Sequence, residues 1–204
     1  MFITLEGGEG AGKSTQARLL TDALVASGIP AVLTREPGGS PGAEVLRGLL
    51  LSRSHDWSPR ADVFLHFAAR SEHLARTIEP ALAAGQVVVC DRFADSTMAY
   101  QGYGLGADRA LIAALTGLMP TLPALTLVLR VSPAIAAARI AGRQQALDRY
   151  EVMDAAFHSR VSDGFQAIAA EEPARCVVIP ADGDAGQIHQ VIRAVVAQRI
   201  PGFA

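Results

Sequence analysis

The sequence predicts an α/β fold in which a five-stranded parallel sheet is covered by helices on both faces. Three observations predict it. Short β-branched runs recur along the 204 residues, longer stretches with apolar residues at helical spacing separate them, and the pattern G-x-x-x-x-G-K-[ST] joins the first run to the first helical stretch. Regular alternation of this kind belongs to sheets whose strands are buried on both sides.

The elements follow in order. Phe2 to Leu5 reads as the first strand, and a helix at about 15–27 follows it. Ala31 to Thr34 is the second strand, with helical patterns at about 43–53 and 60–84 behind it. Gln86 to Cys90 is the third strand, followed by a helix at about 107–118, and Leu125 to Val131 is the fourth, followed by helices at about 133–142 and 149–171. Arg175 to Ile179 and a helix at about 184–198 complete the series. Ligands of such sheets sit beyond the carboxyl ends of the strands, so Glu6 to Ser14, Arg35 to Gly39, Asp91 to Arg92 and Ser132 onward form the expected functional edge. No internal repeat and no linker interrupts the pattern, and one domain over 1–204 is expected.

Composition narrows the function classes. A formal charge of −2 without a basic stripe argues against a nucleic-acid or membrane-surface partner. Cys90 and Cys176 each lie in an apolar strand-like run, as reduced core thiols do. With no leader-like segment before the first strand and no apolar run near the ~18 residues of a membrane span, a cytoplasmic enzyme is expected.

Lys13 is the only lysine of the chain; every other cationic side chain is arginine. It lies in Gly7-Gly8-Glu9-Gly10-Ala11-Gly12-Lys13-Ser14-Thr15, where a compact ammonium is needed to reach between β- and γ-phosphates. The strand before the loop and the helix after it create an anion cradle of backbone N–H groups, and these nine residues are the expected ATP site. The four glycines are expected to supply unusual dihedrals and close backbone approach. Ser14 is placed to ligate Mg²⁺.

Further blocks stand at the same edge. Arg35-Glu36-Pro37-Gly38-Gly39-Ser40 follows the second strand, Phe67-Ala68-Ala69-Arg70 comes next, and Asp91-Arg92-Phe93-Ala94-Asp95-Ser96-Thr97-Met98-Ala99-Tyr100-Gln101-Gly102 follows the third strand. With Glu6-Gly7-Gly8-Glu9, these resemble the bacterial thymidylate kinases in order and spacing from residue 2 to about 151. The last fifty residues contribute only pattern. The resemblance implies a three-layer P-loop nucleoside monophosphate kinase fold, transfer of the γ-phosphoryl group of ATP to dTMP to give dTDP and ADP with Mg²⁺, a step of dTTP biosynthesis, and a homodimer contacting through the helices around 60–84 and 107–118.

Phosphoryl transfer needs two phosphates held in line and positive charge around the moving group. Lys13 and the loop amides hold the donor. Asp91 follows an apolar strand as a Mg²⁺-binding carboxylate does, or it serves as a helix N-cap or as a partner for Arg92. Arg92, also a catalytic candidate, and Arg35 suit a bidentate clamp on the acceptor phosphate. Arg47 resembles a further acceptor-side arginine of the family, or is a helix-surface charge. Glu9 corresponds to an acid facing the monophosphate nucleotide, with the sugar 3′-hydroxyl or Mg²⁺ as its partner. Arg70 resembles the arginine that contacts the thymine carbonyl, with Pro37, Ser96, Thr97 and Gln101 as neighbouring dTMP-site residues. The family's stacking aromatic falls on His66 here, so either His66 or the adjacent Phe67 stacks on the base, or His66 is core. Tyr100 looks like the tyrosine that excludes a 2′-hydroxyl.

The polar stretch 139–151 resembles the lid of these kinases. Gly10 and Ala11 carry no charge where one group of the family has a phosphate-loop arginine, so the lid is expected to supply it. Arg143 and Arg149 are the catalytic candidates, ahead of Arg139. Arg130 stands where the family commonly has an acid, facing either a phosphate or Asp91.

Overall fold

A computed structural model of the chain describes residues 1–142 and 148–203. Five strands, β1 (Phe2–Glu6), β2 (Ala31–Arg35), β3 (Val87–Asp91), β4 (Leu125–Arg130) and β5 (Cys176–Pro180), form one sheet in the order β2-β3-β1-β4-β5, with every pair parallel. The strands match the sequence reading to within about a residue at each end.

Helix α1 (Lys13–Ala26) and the last helix, Ala185–Ala197, lie against one face of the sheet. Leu20 and Leu24 from the first, with Ile188, Ile192 and Val196 from the second, pack on Ile3, Leu5, Val89, Leu125 and Leu127. Each of these large apolar side chains, fully buried, contributes about 1.5–3 kcal/mol. The opposite face carries Phe2, Val88 and Cys90 toward Leu74, Ile78 and Phe93, and Val128 and Cys176 toward Phe157, Phe165 and Ile168. Three layers result.

Between the faces the chain runs through α2 (Pro41–Leu51) and α3 (Pro59–His73). The single helix expected over 60–84 is interrupted by a π-helical turn at Leu74–Ile78 before α4 (Glu79–Ala83). Pro80 explains it, because a proline cannot donate to the carbonyl four residues back and its ring needs the extra room of a wider turn. After β3 comes a helical segment that the sequence reading treated only as a motif, α5 (Ala94–Thr97), which widens into a π-helical turn at Met98–Gly104. Its glycines and Thr97 are weak helix formers, and packing decides: Tyr100 meets Phe157 and Phe165 edge-on at centroid distances of 6.0 and 6.2 Å.

Then follow α6 (Arg109–Gly117), α7 (Pro133–Ala141), α8 (Ala155–Glu171) and, after β5, α9 (Ala185–Ala197). The sequence pattern started α8 at about 149; it starts at Ala155, because Asp154 caps it by accepting the Phe157 N–H at 2.7 Å. Residues 148–151 instead form a turn in which Asp148 accepts the N–H groups of Tyr150 (2.8 Å) and Glu151 (3.0 Å). That turn places the Tyr150 side chain inward.

Candidate active site

The carboxyl end of β1 runs into the glycine loop, whose path is fixed from behind. Gly10 has φ +72°, and a Cβ there would lie 2.6 Å from the carbonyl oxygen of Ala136 in α7, while a Cβ on Gly7 would run into the Leu129 carbonyl. Only glycine tolerates both the left-handed backbone and the close neighbour. Gly12 also has positive φ, whereas Gly8 does not and faces open space, so the expected special dihedral falls on three of the four glycines.

Lys13 bends back over this loop, with its Nζ donating to Gly8 O at 2.7 Å and its side chain only 6% exposed. Burial and then the nearby charge of Arg92 pull its ammonium down to about 8, against Glu9, Asp91 and Glu6, which hold it up. The Ser14 hydroxyl donates to Asp91 Oδ2. A hydroxyl and a carboxylate oxygen in contact at a phosphate loop fit a hard divalent cation, which takes few protein ligands and fills its shell with phosphate oxygens and water.

Arg92 follows Asp91 with φ 71°, the single non-glycine in the left-handed region among the described residues. Such backbone costs about 1–3 kcal/mol and persists where surroundings enforce it. Glu6 enforces it, accepting the Phe93 N–H at 2.7 Å and the Ser96 hydroxyl at 2.5 Å from beneath the turn. Burial and Asp95 push the Glu6 carboxyl up to about 8. Arg92 is thereby aimed at Gly7 O (3.1 Å), Ser96 Oγ (3.3 Å) and Glu9 Oε1 (2.5 Å), over the face of Tyr100 at 4.9 Å. The Tyr100 hydroxyl donates to the same Glu9 oxygen at 2.7 Å. Burial opposes the charge of Arg92, but Glu9, Tyr100, Asp91 and Glu6 outweigh it and hold the guanidinium above its usual range.

The far end of the site is built on α3. Arg70, 2% exposed, donates through Nε to Glu36 Oε2 (2.8 Å) and through Nη2 to Thr97 Oγ1 (3.0 Å), between the rings of Phe67 and Phe93 at 4.8 and 5.0 Å. Its Nη1, shut off from solvent, has no partner among the described residues. The other Glu36 oxygen meets His73 Nδ1 at 3.0 Å, and His73 Nε2 meets Thr34 Oγ1 at 2.6 Å. A second cluster surrounds the fully buried Asp62, which accepts from Gln101 Nε2 (3.0 Å) and the Tyr150 hydroxyl (3.1 Å) and pairs with Arg149 at 3.4 Å. Burial raises the Asp62 carboxyl, and Arg149, Gln101 and Tyr150 offset that. His66 Nε2 meets the Tyr150 hydroxyl at 3.2 Å, and burial, with Arg70, Arg149 and Arg92, drives the His66 imidazole down to about 3, so it is neutral.

The loop, the turn after β3 and part of α3 meet at one cavity of about 430 Å³. Glu9, Lys13, Ser14, Asp91 and Arg92 stand in its wall, as do Arg35, Pro37, Arg47, His66, Arg70, Ser96, Thr97, Tyr100 and Gln101. Arg35 is largely exposed and paired with Glu44 at 3.2 Å, and Arg47 donates to Pro37 O at 2.6 Å. Gly12 and Thr15 also border a second hollow of about 230 Å³, with Gly10, Gln16, Arg139, Ala185 and Ile188.

Several expectations change. Phe67 lies behind Arg70 and outside the cavity wall, so of the two stacking candidates only His66 faces it. Arg149 is turned to Asp62 and to the Tyr150 ring at 5.7 Å. Arg139 is tied to the carbonyls of Gly10 (3.3 Å), Ala181 (2.9 Å) and Gly183 (2.8 Å), a brace for the phosphate loop. Arg130 is exposed at the end of β4. Arg143 lies outside the described residues. Sequence reasoning missed Asp62, His73 and Tyr150 as site-forming residues. A signal existed: Asp62, His66, Arg70 and His73 recur at intervals of four, four and three, a polar stripe down one face of α3.

A phosphate loop after the central strand, a carboxylate on its neighbour and a polar compartment under both define the class: a P-loop nucleoside monophosphate kinase fold. Within that class the chain belongs to the thymidylate kinase family, whose family model matches residues 5–192. The thymidylate kinase of Gluconobacter oxydans is 52% identical over 98% of this chain and 94% of its own, and that of Caulobacter vibrioides is 50% identical over 98% and 97%. The crystal structure of thymidylate kinase from Ehrlichia chaffeensis superposes with a TM-score of 0.77 at 37% identity, covering 96% of this chain and 97% of that one.

Proposed function

We propose that this chain transfers the γ-phosphoryl group of ATP to dTMP, giving dTDP and ADP. A phosphate oxygen of dTMP attacks the γ-phosphorus, and the bond from that phosphorus to the β–γ bridging oxygen breaks as ADP leaves. The observation that carries the reading is that one cavity holds donor-side Lys13, Ser14 and Asp91 and acceptor-side Arg70 and Tyr100, with Arg92 and Glu9 between them. In this arrangement Gly7 to Thr15 cradle the donor phosphates, and the Lys13 ammonium exchanges Gly8 O for phosphate oxygens. Ser14 and Asp91 suit Mg²⁺ better than Glu9 does, because Glu9 already accepts from Arg92 and Tyr100. Bound there, Mg²⁺ would supply charge neutralisation on the transferring phosphoryl group.

Arg92 is preorganised toward the acceptor phosphate, with Arg35 and Arg47 as outer cations. Glu9 meets the sugar 3′-hydroxyl, and Tyr100 fills the space a 2′-hydroxyl needs. The Arg70 guanidinium donates to the base carbonyl, His66 lies along the ring, and Pro37, Ser96, Thr97 and Gln101 complete the acceptor wall. The lid segment 139–151 excludes water on closure, with Arg143 and Arg149 as its charged contributors. One domain, a cytoplasmic location and a homodimer belong to the same reading; the exposed Phe64 on α3 and Leu118 beyond α6 support self-association. A monomer mass by light scattering would remove the dimer.

The test is a coupled assay of ADP formation across a panel of nucleoside monophosphates with MgATP. The expected result is the highest kcat/KM for dTMP. Equal or better turnover of a purine monophosphate would refute the reading.

A further inference from the structure

Tyr150 and Gln101 meet over Asp62, and the chemistry of the three groups dictates which atom does what. An ionised carboxylate only accepts hydrogen bonds, so the Gln101 atom at 3.0 Å from Asp62 Oδ2 is the amide nitrogen, and the Tyr150 hydroxyl at 3.1 Å gives its proton to the same carboxylate. Having donated, that hydroxyl accepts from Gln101 Nε2 at 3.0 Å, and its second lone pair faces His66 Nε2 at 3.2 Å. Both amide hydrogens of Gln101 are then consumed, and the side chain cannot flip without setting its carbonyl oxygen against a carboxylate. Gln101 Oε1 accepts no hydrogen bond from the described residues, is not cut off from solvent, and belongs to a residue of the cavity wall.

We propose that Asp62 is a specificity-positioning residue, locking the Gln101 amide so that Oε1 presents a fixed acceptor to the base. This rests on the dTMP reading. Alongside the Arg70 guanidinium of the same cavity wall, a group that can only donate, the wall then offers a donor and an acceptor, complementary to a pyrimidine with a 4-oxo group and an N3–H. A 4-amino pyrimidine presents the reverse, a donor at position 4 and a bare lone pair at N3, and meets like against like at both. Asp62 itself touches no substrate. Because Tyr150 comes from the turn at the end of the lid segment, the same carboxylate also ties the base-reading amide to the lid.

The test compares kcat/KM for dTMP with that for the 4-amino counterpart dCMP in Asp62→Asn, with thermal unfolding as a check on folding. Asparagine offers an NH₂ where the lock needs an acceptor, so Gln101 is free to turn. The expected result is a fall in the dTMP-to-dCMP ratio of about tenfold or more. A merely structural Asp62 would lower both substrates by one factor, and an unchanged ratio in a folded, active variant overturns the inference. Gln101→Met probes the same point without disturbing Asp62: the ratio must fall there too, and a preserved ratio overturns the inference even if Asp62→Asn does not fold. A wild-type chain inactive on dTMP would instead refute the functional reading, and the two failures are distinguishable.

Discussion

Neutralising Glu36 by Glu36→Gln should strongly destabilise the chain. Glu36 and Arg70 are 4% and 2% exposed and 2.8 Å apart, so the substitution leaves a guanidinium in the interior with no carboxylate beside it. Breaking a buried pair from one side costs about 3–5 kcal/mol. The rings of Phe67 and Phe93, at 4.8 and 5.0 Å, already contribute in the wild type and do not compensate. The amide must also serve His73 Nδ1 at 3.0 Å, so one of the two contacts loses its acceptor. In a chain of this length each kcal/mol shifts Tm by about 2–4 °C, which gives a fall of roughly 6–20 °C, read by calorimetry. The double variant Glu36→Gln, Arg70→Met should recover most of that loss while binding dTMP poorly, since it removes the stranded charge together with the base donor. A drop below about 2 °C in the single variant would show that Arg70 finds another counter-charge and would refute the reasoning.

Two further outcomes follow from other residues. Lys13, with its ammonium lowered to about 8 from 10.5, should make kcat/KM for ATP fall above about pH 8, whereas kcat, measured with phosphates bound, stays level to higher pH; a kcat/KM profile flat to pH 10 would sink this. The sign for stability is opposite, because between about pH 8 and 10.5 the unfolded chain binds the proton that the folded chain has lost, so Lys13 contributes stability that rises with pH there. Gly39→Ala, at φ +83° and with a Cβ only 2.5 Å from Thr34 Oγ1 and also pressing on His73 Nε2, should part the Thr34–His73 hydrogen bond, cost about 1–3 kcal/mol or more, and raise KM for dTMP. Unchanged unfolding in urea would show that the turn relaxes freely.

The sheet and its functional edge were legible because burial on two faces writes a plain code, apolar runs of strand length punctuated by glycine and proline. The phosphate loop was legible for a different reason: its chemistry requires particular residue types at fixed spacing within one segment. Asp62 was not. A lone acid on an amphipathic helix reads as a solvated charge, and its burial depends on Gln101, Tyr150 and Arg149, which reach it from segments about 40 and nearly 90 residues away. The resting partner of Arg149 was hidden on the same ground, since its charge was visible but its counter-charge was not. The widened turns at 74–78 and 98–104 escaped periodicity because segments of five and seven residues leave no mark on a pattern counted in 3.6s.

The chain's single ε-amine, 6% exposed and half-deprotonated near pH 8, turns the donor site into its own reporter. An amine-directed acylating reagent meets a single lysine in this sequence, Lys13, where every other cationic side chain is a guanidinium. Modification of an internal peptide therefore measures one event, access through the cavity to the phosphate loop. Bound nucleotide would close that door and restore the proton together, so labelling rate alone would follow occupancy without a coupled enzyme, a fluorophore or a mutation.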